Sequence, residues 1–161
     1  MPAYLHLGDI KGEATEKDHK EWIMVESMTV NIVRSVPAGA KDQQRARGET
    51  TLGDIHVVRK MDKTTPKLAE ACAIGKFIPE AKINLCATLN GKQEPIMQYV
   101  LKNVIVTSYS FHGVEHMNPP PSEEVSLSFT DIEWTYNIYD PKDGKKKGNV
   151  PAKYNPGSST N

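Results

Sequence analysis

Apolar and polar positions alternate with a period of two along most of the chain, which is the signature of strands with one face turned inward. Ala3 to Ile10 gives a short strand with Leu5 and Leu7 on one side. Trp22 to Arg34 gives a long one: its first four residues are apolar on both faces, and Met28, Val30 and Ile32 then alternate with Ser27, Thr29 and Asn31. Leu52 to Met61 places Ile55 and Val57 opposite His56 and Val58. Lys82 to Leu89 sets Ile83, Leu85, Ala87 and Leu89 against Asn84, Cys86 and Thr88. Asn90-Gly91 follows, a dipeptide that favours a tight hairpin turn. The next β-rich run, Ile96 to His112, is long enough to bend or divide near Lys102-Asn103. In Glu124 to Tyr139 the apolar set is Val125, Leu127 and Phe129, then Ile132, Trp134, Tyr136 and Ile138. Odd positions give way to even ones, so the strand bulges near Asp131 or leaves one sheet for another.

One segment breaks this rhythm with a helical pattern. Between Asp62 and Lys76, Leu68, Ala71 and Cys72 share a face at i, i+3, i+4. Thr65 is placed to cap the first turn, Pro66 suits the first helical position, and Gly75 suits a left-handed stop. Burying Leu68 and Ile74 is worth about 1.5–3 kcal/mol each, so the helix needs a sheet to lie on. The expected fold is mainly β: a compact antiparallel barrel of two packed sheets with one short flanking helix at about 65–75. Residues 1–140 form the single domain and 141–161, rich in Pro, Gly, Lys and Ser, form a C-terminal tail. Edge strands of such a fold invite pairing with another chain, and nothing obvious in the sequence blunts them.

Composition narrows the function. The 161 residues include 20 basic and 20 acidic ones, a balance that argues against nucleic acid as a partner. No apolar run reaches the ~20 residues of a membrane-spanning helix. The N-terminus carries no basic start, apolar core or cleavage site of an export signal. Cys72 and Cys86 read as free, buried or half-buried thiols. His112-Gly-Val-Glu-His116 lacks the helix and the adjacent Glu of a zinc-protease motif, so no metal site, catalytic site or cofactor is expected. A hydrolytic pair of Cys72 with His112 or His116, and a ligand-binding module with a cleft between its sheets, stand as alternatives. Ser35 to Thr51 is a long polar loop with Pro37, Gly39, Gly48, Arg45, Arg47 and Glu49, and a loop of that length in a compact domain is commonly functional. The face carrying Ser27, Thr29 and Asn31 is small, polar and uncharged, fit for an ordinary solvated face or for the wall of a wet cavity.

Leu7-Gly-Asp-Ile-Lys-Gly-Glu13, His19 ahead of a long strand, the Thr-Pro-x-Leu and Ala-Cys-x-x-Gly spacing within Asp62 to Gly75, and Ile132-Glu-Trp-Thr-Tyr136 together resemble the haemolysin-coregulated protein (Hcp) family, the tube subunits of bacterial type VI secretion systems. The resemblance runs in order through nearly the whole chain. It implies a non-catalytic subunit that forms rings of six, which stack into a tube inside a contractile sheath under a spike protein and carry small effectors. It implies residence in the bacterial cytoplasm before firing and export afterwards without a signal peptide. By position, the loop residues Arg45, Arg47 and Glu49 correspond to ring-stacking contacts, and Ser27, Thr29 and Asn31 to the channel lining.

Overall fold

The computed structural model describes residues 1–39, 41, 43, 48–111, 113 and 120–156. Among them are eleven strands and one α-helix. In chain order these are β1 (Ala3–Leu7), β2 (Ile23–Val25), β3 (Ser27–Thr29), β4 (Ile32–Arg34), β5 (Thr50–Leu52), β6 (Ile55–Lys60), α1 (Thr65–Ile74), β7 (Phe77–Leu89), β8 (Lys92–Phe111), β9 (Ser122–Ser128), β10 (Asp131–Tyr139) and β11 (Lys146–Tyr154). All the pairings are antiparallel.

The main sheet runs in the order β2-β1-β7-β8-β9-β6-β3, with β10 and β11 continuing from β8. No ladder joins β2 to β3, but only Glu26 separates them in the chain, and its amide donates to the carbonyl of Val58 at 2.8 Å. The sheet therefore curls until its two end strands are one residue apart in the chain. Inside it, Leu7, Ile23, Ile55, Val57, Ile83, Leu101, Leu127 and Ile132 are fully buried. Each alternates along its strand with a residue on the other face, so one-face burial fixes the register.

The hairpin of β7 and β8 turns at Asn90-Gly91, both with positive φ. β8 stays one strand but changes partner at the expected place. Tyr136 to Asp131 pair with Met97 to Lys102, and β9 takes over from Ile105. Asn103, at φ 55°, makes the bend, and its side-chain amide donates to Thr130 Oγ1 at 2.7 Å. The phase change after Phe129 is thus a change of partners within one sheet: β9 pairs with β6 and β8, and β10 with β8 and β11.

Five expectations are corrected. Trp22 to Arg34 is three short strands with three different partners: β2 on β1, β3 on β6, and β4 on β5 in a separate two-stranded sheet. The core residues switch there from odd (Ile23, Val25) to even (Met28, Val30), a phase change masked by apolar residues at both phases. Residues 146–154 are not part of an irregular tail but a strand, mostly exposed, laid on β10. Asn84 is buried, because the segment before β2 covers its face; Cys86, expected to be a buried or half-buried thiol, is buried there too and forms a second small core with Tyr4 and Ala14, with Trp22 packed against it. On α1, Leu68 and Ala71 are buried but Ile74 is 67% exposed. Gly75 closes the helix in the left-handed conformation as expected, whereas the N-cap position is Thr64, one residue earlier than Thr65.

Candidate assembly surfaces and the polar clusters behind them

Strands β6 and β9 carry the polar chemistry on both of their faces. Facing inward, Arg59 and Glu123 sit directly opposite each other across the ladder. The guanidinium bonds Glu123 through Nη1, and Nη2 lies 2.5 Å from Asp62 Oδ1. Both side chains are almost wholly buried. Tyr109 donates to Glu123 Oε2 at 2.7 Å, and Thr65 donates to Glu123 Oε1 at 3.0 Å. Asp62 Oδ1 also accepts from the amide of Thr64 at 2.7 Å. This cluster ties the start of α1 to the sheet, since every buried charge needs a partner. Burial acts to raise the Asp62 pKa, but the bonds from Arg59 and Thr64 outweigh it and hold the carboxyl below its ordinary value. Burial and the neighbouring Glu123 push the Tyr109 phenol up to about 12.

A second buried cluster fixes the segment before β2. His19 is 2% exposed; its Nδ1 bonds Glu16, and its Nε2 lies 2.9 Å from the Asn84 amide nitrogen. The ring stacks on Tyr4 at 4.5 Å and meets Trp22 edge-on at 4.8 Å. Cys86 lies behind it, its thiol pushed up to about 11 by burial and by Glu16 and Glu94. A thiol held protonated in this way is a packing group, not a nucleophile. Cys72 is half-buried on α1, while His112 and His116 lie outside the described residues. Among the described residues no group of three or more His, Cys, Asp and Glu is placed to hold a metal ion.

Facing outward on the same two strands is the candidate channel surface. Ser27, Thr29 and Asn31 are all exposed. The register then adds residues that the sequence could not join to them. Thr29 lies opposite His56, His56 opposite Ser126, and Ser126 opposite Ser108. Ser27 lies opposite Val58, Val58 opposite Glu124, and Glu124 opposite Ser110. Ser126 Oγ lies 2.8 Å from His56 Nδ1 and accepts from Ser108 Oγ at 2.7 Å. Glu124 Oε1 lies 3.4 Å from the same His56 nitrogen. Serine and carboxylate thus converge on one ring nitrogen, which is not the two-ended relay that activates a nucleophile. At one end of the face Thr107 donates to Asp54 Oδ2 at 2.6 Å, and at the other Ser122 donates to Glu26 Oε1 at 3.0 Å. The uncharged stretch of β3 is therefore flanked by charge. The signal in the sequence was the even-numbered series Asp54, His56, Val58, Lys60; what it lacked was the neighbour across the ladder.

The long loop rises from the β4–β5 pair. Ile32 opposes Leu52, and Arg34 opposes Thr50. The Ser35 amide donates to the Glu49 carbonyl at 2.8 Å, and the Glu49 amide donates to Ser35 Oγ at 3.0 Å. Gly48 is required here, since a Cβ at that position would lie 1.4 Å from the Ser35 carbonyl oxygen. Glu49 is exposed at the base of this arm; Arg45 and Arg47 lie outside the described residues. Ile32 and Val33 on the arm are 47% and 60% exposed, in keeping with a projection that leaves the body of the molecule.

A family model described as "Type VI secretion system effector, Hcp" matches residues 4–136. The chain belongs to the Hcp family of type VI secretion proteins. It is 30% identical over 151 residues to Protein hcp1 of Pseudomonas aeruginosa, covering 94% of this chain and 91% of that one. Among solved structures, a type six secretion system protein superposes with a TM-score of 0.87 at 24% identity, covering 96% of this chain and 94% of its own. Hcp1 from Salmonella typhimurium superposes with a TM-score of 0.74 at 23% identity, over 96% and 93% of the two chains. These two likenesses show the same fold. As an Hcp protein the chain is part of a type VI secretion system, and no helix among the described residues is long and apolar enough to cross a membrane.

Proposed function

We propose that this chain is the structural subunit of the inner tube of a type VI secretion system. Six copies close into a ring through head-to-tail contacts, a geometry that closes when the rotation between neighbours is one-sixth of a turn. Rings stack through the β4–β5 arm, with Arg45, Arg47 and Glu49 as the contact residues. The outward face bearing Ser27, Thr29 and Asn31 lines the central channel, where small effectors ride. The tube lies inside the contractile sheath beneath the spike protein. The subunit waits in the bacterial cytoplasm and leaves without a signal peptide. It performs no catalysis and takes no cofactor.

Membership of the Hcp family over residues 4–136 is the observation that carries this reading. The fold supports it: a rigid curled sheet presents a polar face on one side and an arm with exposed apolar residues at its base. Negative-stain electron microscopy of the purified chain, with light scattering for mass, tests it. Rings with six-fold symmetry are expected. A monomer that persists at high concentration overturns the proposal.

A further inference from the structure

The outward face of β3, β6, β9 and β8 has a chemical bias that neither strand pattern nor loop position explains. Its exposed hydroxyls are dense: Ser27, Thr29, Ser108 and Ser110 stand in neighbouring register positions around Ser126, which is itself buried and bonded to Ser108 and His56. Its charges are lopsided. Asp54, Glu124 and Glu26 border the hydroxyl field, and Lys60 is the one lysine on the described part of this face. Lys60 lies 4.0 Å from Glu26 and offsets that carboxylate alone. Among the described residues Asp54 meets a hydroxyl and Glu124 an imidazole, and no cation bonds either carboxylate more closely. The chain as a whole is neutral, so the acidity is local. Only Val58 contributes a large apolar side chain to the two central rows, so the face does not suit a hydrophobic partner.

We propose that this face is a docking surface for basic polypeptide segments, whose ammonium or guanidinium groups pair with Asp54 and Glu124 while their backbone and polar side chains bond the serine and threonine hydroxyls between them. Complementary charge gives the sign of the preference, and the hydroxyl field tolerates many sequences because each hydroxyl both donates and accepts. The biological setting rests on the tube reading above: there the face becomes channel wall, and the occupant is basic cargo. Six copies around a channel would multiply a weak contact into useful retention. The physical claim itself concerns a single subunit.

Fluorescence anisotropy with two labelled peptides, one of alternating Lys and Ser and one of alternating Glu and Ser, tests it. The Lys-Ser peptide should bind more tightly, and raising the salt should weaken it. The double variant D54N/E124Q should weaken that binding by roughly three- to tenfold, the sum of two modest exposed ion pairs. T29K, which brings a cation into the hydroxyl field, should weaken it similarly. D9N removes a carboxylate bonded to Lys76 elsewhere on the surface and should leave binding as in the parent. Equal binding of the two peptides, or a D54N/E124Q protein that binds like the parent, overturns the proposal. Light scattering on the same samples separates the two readings. Rings that show no charge preference overturn the docking surface alone; single particles that keep the preference uphold it and overturn the ring.

Discussion

Two sides of one ladder place opposite demands on similar groups. On the inner side of β6 and β9, Arg59 and Glu123 face each other with almost no exposure. On the outer side, His56 and Glu124 meet at 3.4 Å with side chains 44% and 50% exposed. The inner pair is held in place by Asp62, Thr65 and Tyr109. The outer pair has water as an alternative partner. A buried pair costs much to break because the remaining charge has nowhere to go, while an exposed pair costs little. The same strand therefore supplies an anchor on one side and an adaptable surface on the other, with no more machinery than period-two alternation.

Mutation should separate the two faces, and the largest effect belongs to the interior. Replacing Arg59 with Met leaves Glu123 buried and uncompensated, and should destabilise the fold by about 3–5 kcal/mol in urea titration. A loss below 1 kcal/mol would erase the contrast between the faces. Asp62→Asn should cost about 1–2 kcal/mol by weakening its charge-assisted bonds to Arg59 and Thr64. Its folded-state pKa is depressed, so the stability it contributes is present above the ordinary carboxylate pKa and is lost as pH falls through the lower, folded value. Thermal melts from neutral to acid pH should accordingly show a shallower acid decline in D62N. Tyr109→Phe should cost about 1 kcal/mol at neutral pH. Because the folded phenol is raised from 10.0 to about 12, the folded state keeps its proton over that interval. Stability contributed by Tyr109 is full below pH 10 and falls as pH rises toward 12, a decline that Y109F should lack. The outer substitutions His56→Gln and Glu124→Gln should shift stability by no more than about 0.5 kcal/mol. A destabilisation comparable to that of R59M would show that the outer pair is structural.

Elements that depend on local chemistry were legible in the sequence. Asn90-Gly91 and Gly75 announce positive φ, and Leu68 with Ala71 marks the buried side of α1. The phase change after Phe129 was legible because each half of that segment is apolar at one phase only. The equivalent change between Val25 and Met28 was not, since Trp22, Ile23, Met24 and Val25 fill both phases and conceal where one partner gives way to the next. Strand β11 was missed for a different reason. It lies at the margin with little burial, so no apolar alternation marks it. Ser27 and Thr29 could be read as polar positions, but their union with His56, Ser126 and Glu124 exists only once β3, β6 and β9 are in register. Sequence pattern reports which side of a strand is wet; it carries no name for the strand next door.

The position of β11 bears on how such a β-rich chain survives at high concentration. Among the described residues it pairs with β10 alone, and it carries Lys146, Lys147 and Lys153 with Pro151 in its middle. Proline has no amide hydrogen to offer a newcomer, and a row of like cations repels a second identical row. Runaway cross-β growth from this margin is thus discouraged by the covalent chain itself.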